Sequence, residues 1–166
     1  MNPIFKRCSV RQFSDEPVGI ETIEQLMRAA MAAPSAGNQQ PWEFFIVRDE
    51  TTRMALAACS PFGGPAKKAP CVIVACARTH DLRFPQDAPL DMSAAVQNIL
   101  LEAAELDLGA CWLGIAPERD RMNAVHVALG KPKGLEPFAL IVVGHPTHTP
   151  EPKGPSRYDE TRVHWV

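Results

Sequence analysis

Apolar residues recur along the chain at two alternating spacings, which predict helices and strands in turn. An apolar residue at every third or fourth position indicates helices over residues 2–8, 23–30, 52–59, 91–108 and 117–130. Short apolar runs of strand length lie between them, at residues 43–47, 71–77, 110–115 and 138–143. Asp91 is expected to cap the longest helix, and the glycines and prolines of residues 61–65 predict a surface loop.

The last stretch of the chain has a different pattern. Residues 145–166 contain four prolines and few apolar residues, so they cannot bury a face of their own, yet they end with Val163, Trp165 and Val166. We therefore predict one domain formed by residues 1–144, with residues 145–166 as a C-terminal arm of the same domain. An arm of this kind, together with an alanine-rich long helix, favours a homodimer.

Composition and charge narrow the classes of partner. The chain has 166 residues, 46% hydrophobic and 22% charged, which is typical of one globular domain. A net charge of -2 provides no global basic field, so neither nucleic acid nor a membrane surface is an expected partner, and any bound anion needs a local cluster of cations. Five scattered cysteines and the lack of a leader before residue 1 favour reduced thiols in a cytoplasmic protein.

Several chemical signatures are missing from the sequence. It contains neither a Gly-x-Gly-x-x-Gly fingerprint after a predicted strand nor a Walker loop, and no serine stands in a Gly-x-Ser-x-Gly elbow. Cys71 and Cys76 are expected on opposite faces of a strand, where they could not share a metal ion. No metal site is predicted.

Candidate chemistry begins near the N-terminus. Arg7, Ser9 and Arg11 occupy alternate positions, so they fall on one side of an extended or turning segment. Two guanidinium forks and a hydroxyl suit a phosphate ester, because arginine binds phosphate oxygens bidentately and keeps its charge. A solvated basic surface is the alternative interpretation.

A second candidate lies between the second helix and the first strand. Ser35, Asn38 and Gln40 supply both hydrogen-bond donors and acceptors, which suit a planar heterocycle with alternating carbonyls and ring nitrogens. An ordinary polar connection, with the two amides bonded to backbone, is the alternative. Phosphate ligands and amides in one chain together suggest flavin mononucleotide (FMN).

Four short motifs, taken in chain order, resemble the FMN-dependent nitroreductase family. They are Arg7-x-Ser9-x-Arg11-x-Phe13, Ala33-Pro34-Ser35-Ala36-x-Asn38-x-Gln40-Pro41-Trp42-x-Phe44, Leu113-Gly114 and Arg157-Tyr158-Asp159-Glu160. The resemblance implies a three-layer α/β/α structure of the α+β class, with a mixed sheet flanked by helices, and an obligate homodimer with FMN at its interface. It also implies ping-pong hydride transfer from NADH or NADPH through flavin N5 to a small acceptor, such as a nitroaromatic or a quinone.

The family also implies a role for each matching residue. Arg7, Ser9 and Arg157 would contact the FMN phosphate. Cys8 lies between these ligands and is included among the cofactor contacts; from its position alone it is either a reactive thiol stabilised by Arg7 and Arg11 or a bystander facing the core. Arg11 would reach the pyrimidine edge and is the candidate for stabilising reduced flavin; no side chain is assigned as certainly catalytic. The other implied contacts are hydrogen bonds from Asn38 and Gln40, a cover over the partner subunit's flavin by Pro34, Ser35 and Ala36, and backbone approach of Leu113 and Gly114 to N5 and O4.

The sequence departs from the family at two positions. Larger members carry a carboxylate where Leu113 stands, so only a backbone role is transferred to it. Some members have a lysine at the position of Pro155, for which Lys153 is a weak substitute. The acceptor, the choice between NADH and NADPH and the role of residues 60–90 in substrate access stay open, and so does an FMN carrier or redox sensor without turnover.

Overall fold

The computed structural model describes residues 1–148, 151–152 and 157–166, where helices and strands alternate as the apolar spacing predicts. The helices are α1 (Pro3–Lys6), α2 (Ile20–Met31), α3 (Glu50–Ala58), α4 (Gly64–Lys68), α5 (Ala88–Glu105) and α6 (Arg119–Ala128). The strands are β1 (Trp42–Val47), β2 (Cys71–Arg78), β3 (Gly109–Gly114) and β4 (Leu135–Gly144). Every predicted helix and strand is present, and α4 is the one unpredicted α-helix of the described residues.

The four strands form one sheet in the order β1-β2-β4-β3. All three pairings are antiparallel; Ile141 of β4 lies between Ile73 of β2 and Trp112 of β3. β2 and β3 run in the same direction, but β4 inserts between them, so no neighbouring strands are parallel. The predicted mixed sheet is thus an antiparallel one, with parallel pairing only in an isolated bridge between Ser9 and Ala110 among the described residues.

Helices cover both faces of the sheet, which confirms the predicted three layers. Alternate residues of each strand point to opposite faces, so Ile73 packs in the core beneath α2 and α5, while Val72 packs in the core beneath α3, α4 and α6. Cys71 and Cys76 belong to these two separate cores, as predicted. The long helix α5 is the most deeply buried of these helices because one side of it lies against the sheet.

A proline in the first turn accounts for two helix starts that the sequence analysis did not predict. α5 begins at Ala88 and α4 at Gly64, and each has a proline, Pro89 or Pro65, in its first turn. Proline favours the first turn, where its missing N–H costs no helical hydrogen bond. The prediction that Asp91 caps α5 is therefore wrong: Asp91 lies inside the first turn and is only 6% exposed.

The last ten residues of the C-terminal arm, 157–166, lie on the surface. All ten residues are exposed, and Trp165 is 94% exposed. Lys153 lies outside the described residues, and the boundary between domain and arm stays a prediction. No helix within the described ranges is long and apolar enough to span a membrane.

Candidate flavin-binding site

The N-terminal arginines are held in place by the edge strand β3. Ser9 forms a parallel bridge with Ala110, and the N–H of Val10 donates to the carbonyl of Ala110 at 3.0 Å. Val10 is buried against Gly109, where a Cβ would lie only 2.6 Å from Val10 Cγ1. Because Val10 points inward, its neighbours Ser9 and Arg11 stand on the exposed side.

Both ends of the chain line one pocket, which we call the arginine pocket. It has a volume of about 570 Å³, within the ~300–1,000 Å³ usual for small-molecule sites. Its walls include Arg7, Ser9 and Arg11 from the N-terminal segment and Arg157 from the tail; the other lining residues are Ile4, Cys8, Val10, Gln12, His148 and Glu151. Three guanidinium groups against one carboxylate make it a local cation cluster suited to an anion.

The buried thiol of Cys111, on β3, lies close enough to the N-terminal arginines to be influenced by their charges. Burial raises the pKa of Cys111, while the positive charges of Arg11 and Arg7 and a hydrogen bond from Ser9 act in the opposite direction. The two guanidinium groups therefore act on the same small region. Cys8 both lines the pocket and packs against the core, so the structure is compatible with either of its two predicted roles.

The outer edge of β3 leads from the arginine pocket to Gly114. The N–H and C=O of one strand residue point the same way and alternate along the strand. Since the carbonyl of Ala110 points outward to Val10, the backbone groups of Gly114 point outward as well. From Ala110 to Gly114 there are four residue steps, or about 13 Å.

Gly114 presents no side chain at this edge. It is exposed, and a Cβ built on it meets nothing within 4 Å. The next residue inward, Leu113, is 4% exposed and lies in the core beneath α6. The position therefore offers backbone groups alone to a ligand, because the Leu113 side chain is committed to the core.

Sequence reasoning missed Arg121, a cation at the far end of the same edge. Its Nη1 donates to the Gly114 carbonyl at 3.3 Å, and its guanidinium lies 5.5 Å from the ring centroid of Phe62. Arg121 belongs to α6, and no motif marks it. Only the packing of α6 against the sheet brings it to Gly114.

The amide loop, residues 34–40, has an unusual backbone. Gly37, Asn38 and Gln40 adopt left-handed conformations with φ of 54°, 55° and 47°. Gly37 is required here, because a Cβ would lie 2.7 Å from the Phe84 ring. The exposed amides bond to each other, with Gln40 Nε2 donating to Asn38 Oδ1 at 3.0 Å, while the N–H of Gln40 donates to Ser35 Oγ at 3.0 Å.

Comparison with known proteins identifies the family of this chain. A model described as the nitroreductase family matches residues 4–60 and 61–145. The chain belongs to the nitroreductase family. A protein of Archaeoglobus fulgidus, provisionally named an NADH dehydrogenase/NAD(P)H nitroreductase, is 37% identical over 163 residues, covering 97% of this chain and 94% of that protein.

Solved structures of nitroreductase relatives share the fold. A crystal structure from Clostridium acetobutylicum, provisionally named an NADH oxidase, is 41% identical, with coverage of 98% of this chain and 97% of that one and a TM-score of 0.93. A provisionally named nitroreductase from Desulfovibrio desulfuricans, in complex with FMN, is 31% identical, with coverage of 90% and 87% and a TM-score of 0.79. The predicted nitroreductase-like α+β class is confirmed.

In this nitroreductase chain, the predicted site residues fall into three groups. Arg7, Cys8, Ser9, Arg11 and Arg157 line the arginine pocket, whereas Leu113 and Gly114 lie further along the edge of β3. The amide loop, with Pro34, Ser35, Ala36, Asn38 and Gln40, supplies no residue to the arginine pocket of its own chain as far as the described residues go. This separation is the one expected if the loop serves the flavin of a second subunit.

Proposed function

We propose that this protein is an FMN-dependent NAD(P)H oxidoreductase that passes electrons to a small acceptor such as a nitroaromatic or a quinone. One observation supports the proposal: the arginine pocket lies at one end of the outer edge of β3, and the exposed backbone of Gly114 lies at the other. The FMN in the Desulfovibrio desulfuricans relative and the name of the Archaeoglobus fulgidus relative support it.

The residues fit FMN at both ends of the molecule. Arg7, Ser9 and Arg157 hold the phosphate, because guanidinium groups and a hydroxyl supply charge-assisted hydrogen bonds to its oxygens. The outward N–H of Gly114 would donate toward N5 and O4 of the ring, where the lack of a side chain would permit close contact.

Bound FMN supplies the redox chemistry, a ping-pong cycle in which a hydride from NAD(P)H reaches N5 and is then passed to the acceptor. The protein binds and orients the reactants. Arg11 lies at the pyrimidine edge in this account and stabilises the negative charge that reduction places there. Asn38 and Gln40 donate and accept hydrogen bonds at the polar rim of the ring.

A homodimer completes the proposed site. The exposed apolar residues of the tail, Val163 and Trp165, need a cover that the described part of this chain does not provide. In the proposed dimer the tail packs on the partner, and Pro34, Ser35 and Ala36 cover the partner subunit's flavin. Light scattering at micromolar concentration tests this; a monomer that binds FMN fully would contradict it.

Anaerobic spectroscopy tests the function. Protein loaded with FMN is mixed with NADH or NADPH, and then with a quinone or a nitroarene, with free FMN at equal concentration as the control. The proposal predicts that the nicotinamide bleaches the bound flavin and that the acceptor restores its colour. Yellow protein that neither nicotinamide bleaches would instead be a carrier or sensor, and protein without affinity for FMN would overturn the proposal altogether.

A further inference from the structure

Gln39 faces into the molecule while its neighbours in the amide loop face outward. Its Nε2 donates to the Phe84 carbonyl at 3.0 Å, and its Oε1 accepts from the Phe84 N–H at 2.9 Å. The same Nε2 donates to Asp91 Oδ2 at 2.7 Å. The side-chain amide therefore uses its oxygen and its nitrogen to join the loop to two other segments.

Asp91, which accepts the hydrogen bond from Gln39, is a buried carboxylate. It is 6% exposed, and none of the ion pairs found among the described residues includes it. A buried carboxylate without a cation needs hydrogen bonds to offset its desolvation. Asp91 has them from the amide loop, since Oδ1 accepts from the Ala36 N–H at 2.9 Å and Oδ2 accepts from Gln39. Its place in the first turn of α5 also puts its charge at the positive end of the helix dipole.

The backbone of the amide loop needs such support. Left-handed conformations at Asn38 and Gln40 are strained for residues that carry a Cβ, and strain of this kind persists only where the surroundings impose it. Arg78 adds a third anchor, because its Nη2 donates to the carbonyls of Gln39 at 2.9 Å and Gln40 at 3.0 Å. Anchors from β2, from Phe84 and from α5 thus meet at the inward side of one short loop.

We propose that Gln39 and Asp91 are positioning residues that preorganise the amide loop, so that Ser35, Asn38 and Gln40 face the flavin. This rests on the proposed function. The contacts of the amide loop also hold residues 79–87, the segment before α5. Gln39 pairs with both backbone groups of Phe84, and Gly37 packs beneath the Phe84 ring. The amide loop and this segment therefore hold one position together, and the flavin contacts depend on side chains that themselves point away from the ligand.

The test compares three variants in FMN titrations of the full chain. Asp91 accepts hydrogen bonds with both carboxylate oxygens, whereas the amide in Asp91→Asn has one oxygen and can keep only one of them in either orientation. Gln39→Glu places a second carboxylate against Asp91. Each single variant is expected to bind FMN about tenfold more weakly, since each loses a hydrogen bond that involves a charged group. The double variant Gln39→Glu/Asp91→Asn restores the donor and acceptor match between the two side chains and keeps the acceptor for the Phe84 N–H. It leaves the Phe84 carbonyl without its donor, so it should regain part of the affinity rather than all of it.

Two further readouts separate positioning from plain destabilisation. The visible bands of bound flavin should shift in the single variants and return in the double variant. Hydrogen-deuterium exchange in the cofactor-free protein should rise at residues 36–40 without rising in β2 or β4. Gln25→Ala and Glu105→Gln, exposed residues of α2 and α5, are the matched controls and should leave all three readouts unchanged.

The outcomes distinguish this inference from the proposed function. If the unaltered protein fails to bind FMN, the proposed function fails and the inference fails with it. If the unaltered protein binds FMN and the single variants bind it equally well with an unshifted spectrum, only the positioning role is overturned. Loss of affinity without rescue in the double variant also overturns it, because the coupling between the two side chains is then absent.

Discussion

Ser9 lies beside Ala110 in a parallel bridge, and this contact fixes the N-terminal segment to the open edge of β3. The bridge places Arg7 and Arg11 at the start of an edge that ends at Gly114. One strand thereby sets the distance between the arginine cluster and the exposed backbone of Gly114. A ligand with a phosphate at one end and a planar ring at the other is the natural match.

Removing an arginine of the pocket should weaken binding through the phosphate alone. Arg7→Ala and Arg157→Ala are each expected to bind FMN about tenfold or more weakly, because each loses a charge-assisted hydrogen bond. Their affinity for riboflavin, which has no phosphate, should match that of the unaltered protein. Fluorescence titrations with both ligands measure this, with the exposed Lys133→Ala as control. Equal losses for FMN and riboflavin would contradict the assignment of these residues to the phosphate.

Arg11 should affect the reaction more than it affects binding. Arg11→Ala removes the cation that favours negative charge on the reduced ring, so the rate of reduction by NADH should fall by a larger factor than the FMN affinity. Arg11→Lys keeps the charge and should keep most of the rate. Stopped-flow reduction, compared with the same measurements on Arg7→Ala, decides the matter. A common loss of rate and affinity in Arg7→Ala and Arg11→Ala would argue against separate roles.

Gly114 and Leu113 should give opposite results when changed. Gly114→Ala puts a methyl group into space that is empty in this chain, so the free energy of unfolding should change by less than about 1 kcal/mol while FMN affinity falls about tenfold. Leu113→Ala opens a cavity in the core and should cost about 2–4 kcal/mol of stability, with FMN still bound by the folded fraction. Urea unfolding and FMN titration of both variants provide the measurements. Full FMN affinity in Gly114→Ala would show that the flavin ring does not lie against Gly114.

Two buried thiols should make the protein less stable in alkali. Burial raises the pKa of Cys71 to about 11 and that of Cys76 to about 12, from the ordinary 9.0. Above pH 9.0 the unfolded chain loses these protons while the folded chain keeps them, so ionisation favours unfolding. Stability is therefore complete below that pH and declines as the pH approaches the folded values, by up to roughly 1.4 kcal/mol per pH unit for each thiol.

A variant that lacks both thiols shows how much of the decline in the free energy of unfolding with pH is due to Cys71 and Cys76. Cys71→Ala/Cys76→Ala should unfold in urea with a shallower dependence on pH across the alkaline range than the unaltered protein. Other groups also titrate there, but they are common to both proteins and cancel in the difference. An identical pH dependence in the two proteins would show that the thiols do not contribute.

Much of the fold follows from local pattern. The apolar positions of residues 91–108 and 71–77 predict α5 and β2, because burial of one helix face leaves a helical period and burial of both strand faces leaves a continuous apolar run. The insertion of β4 between β2 and β3 has no such signal, since it depends on which strands pair after the helices have packed. The mixed sheet was for that reason a wrong prediction although the layers were right.

The candidate site divides in the same way. The alternate spacing of Arg7, Ser9 and Arg11 predicts that they lie on one side of the segment. The structure places them in one pocket with Arg157 from the tail. Asp91 and Gln39 are 52 positions apart, and their contact exists only once α5 lies against the amide loop. Asp91 taken alone resembles a helix cap, because Asp is among the preferred residues at the N-cap position.

The absorption spectrum of protein purified without added cofactor, followed by chromatography of whatever it releases on denaturation, tests the central claim most directly. The account predicts the visible bands of an oxidised flavin, with FMN as the released species in amounts approaching those of the chain. Colourless protein that takes up no FMN on titration, or yellow protein that releases riboflavin in place of FMN, would contradict a phosphate held between Arg7 and Arg157.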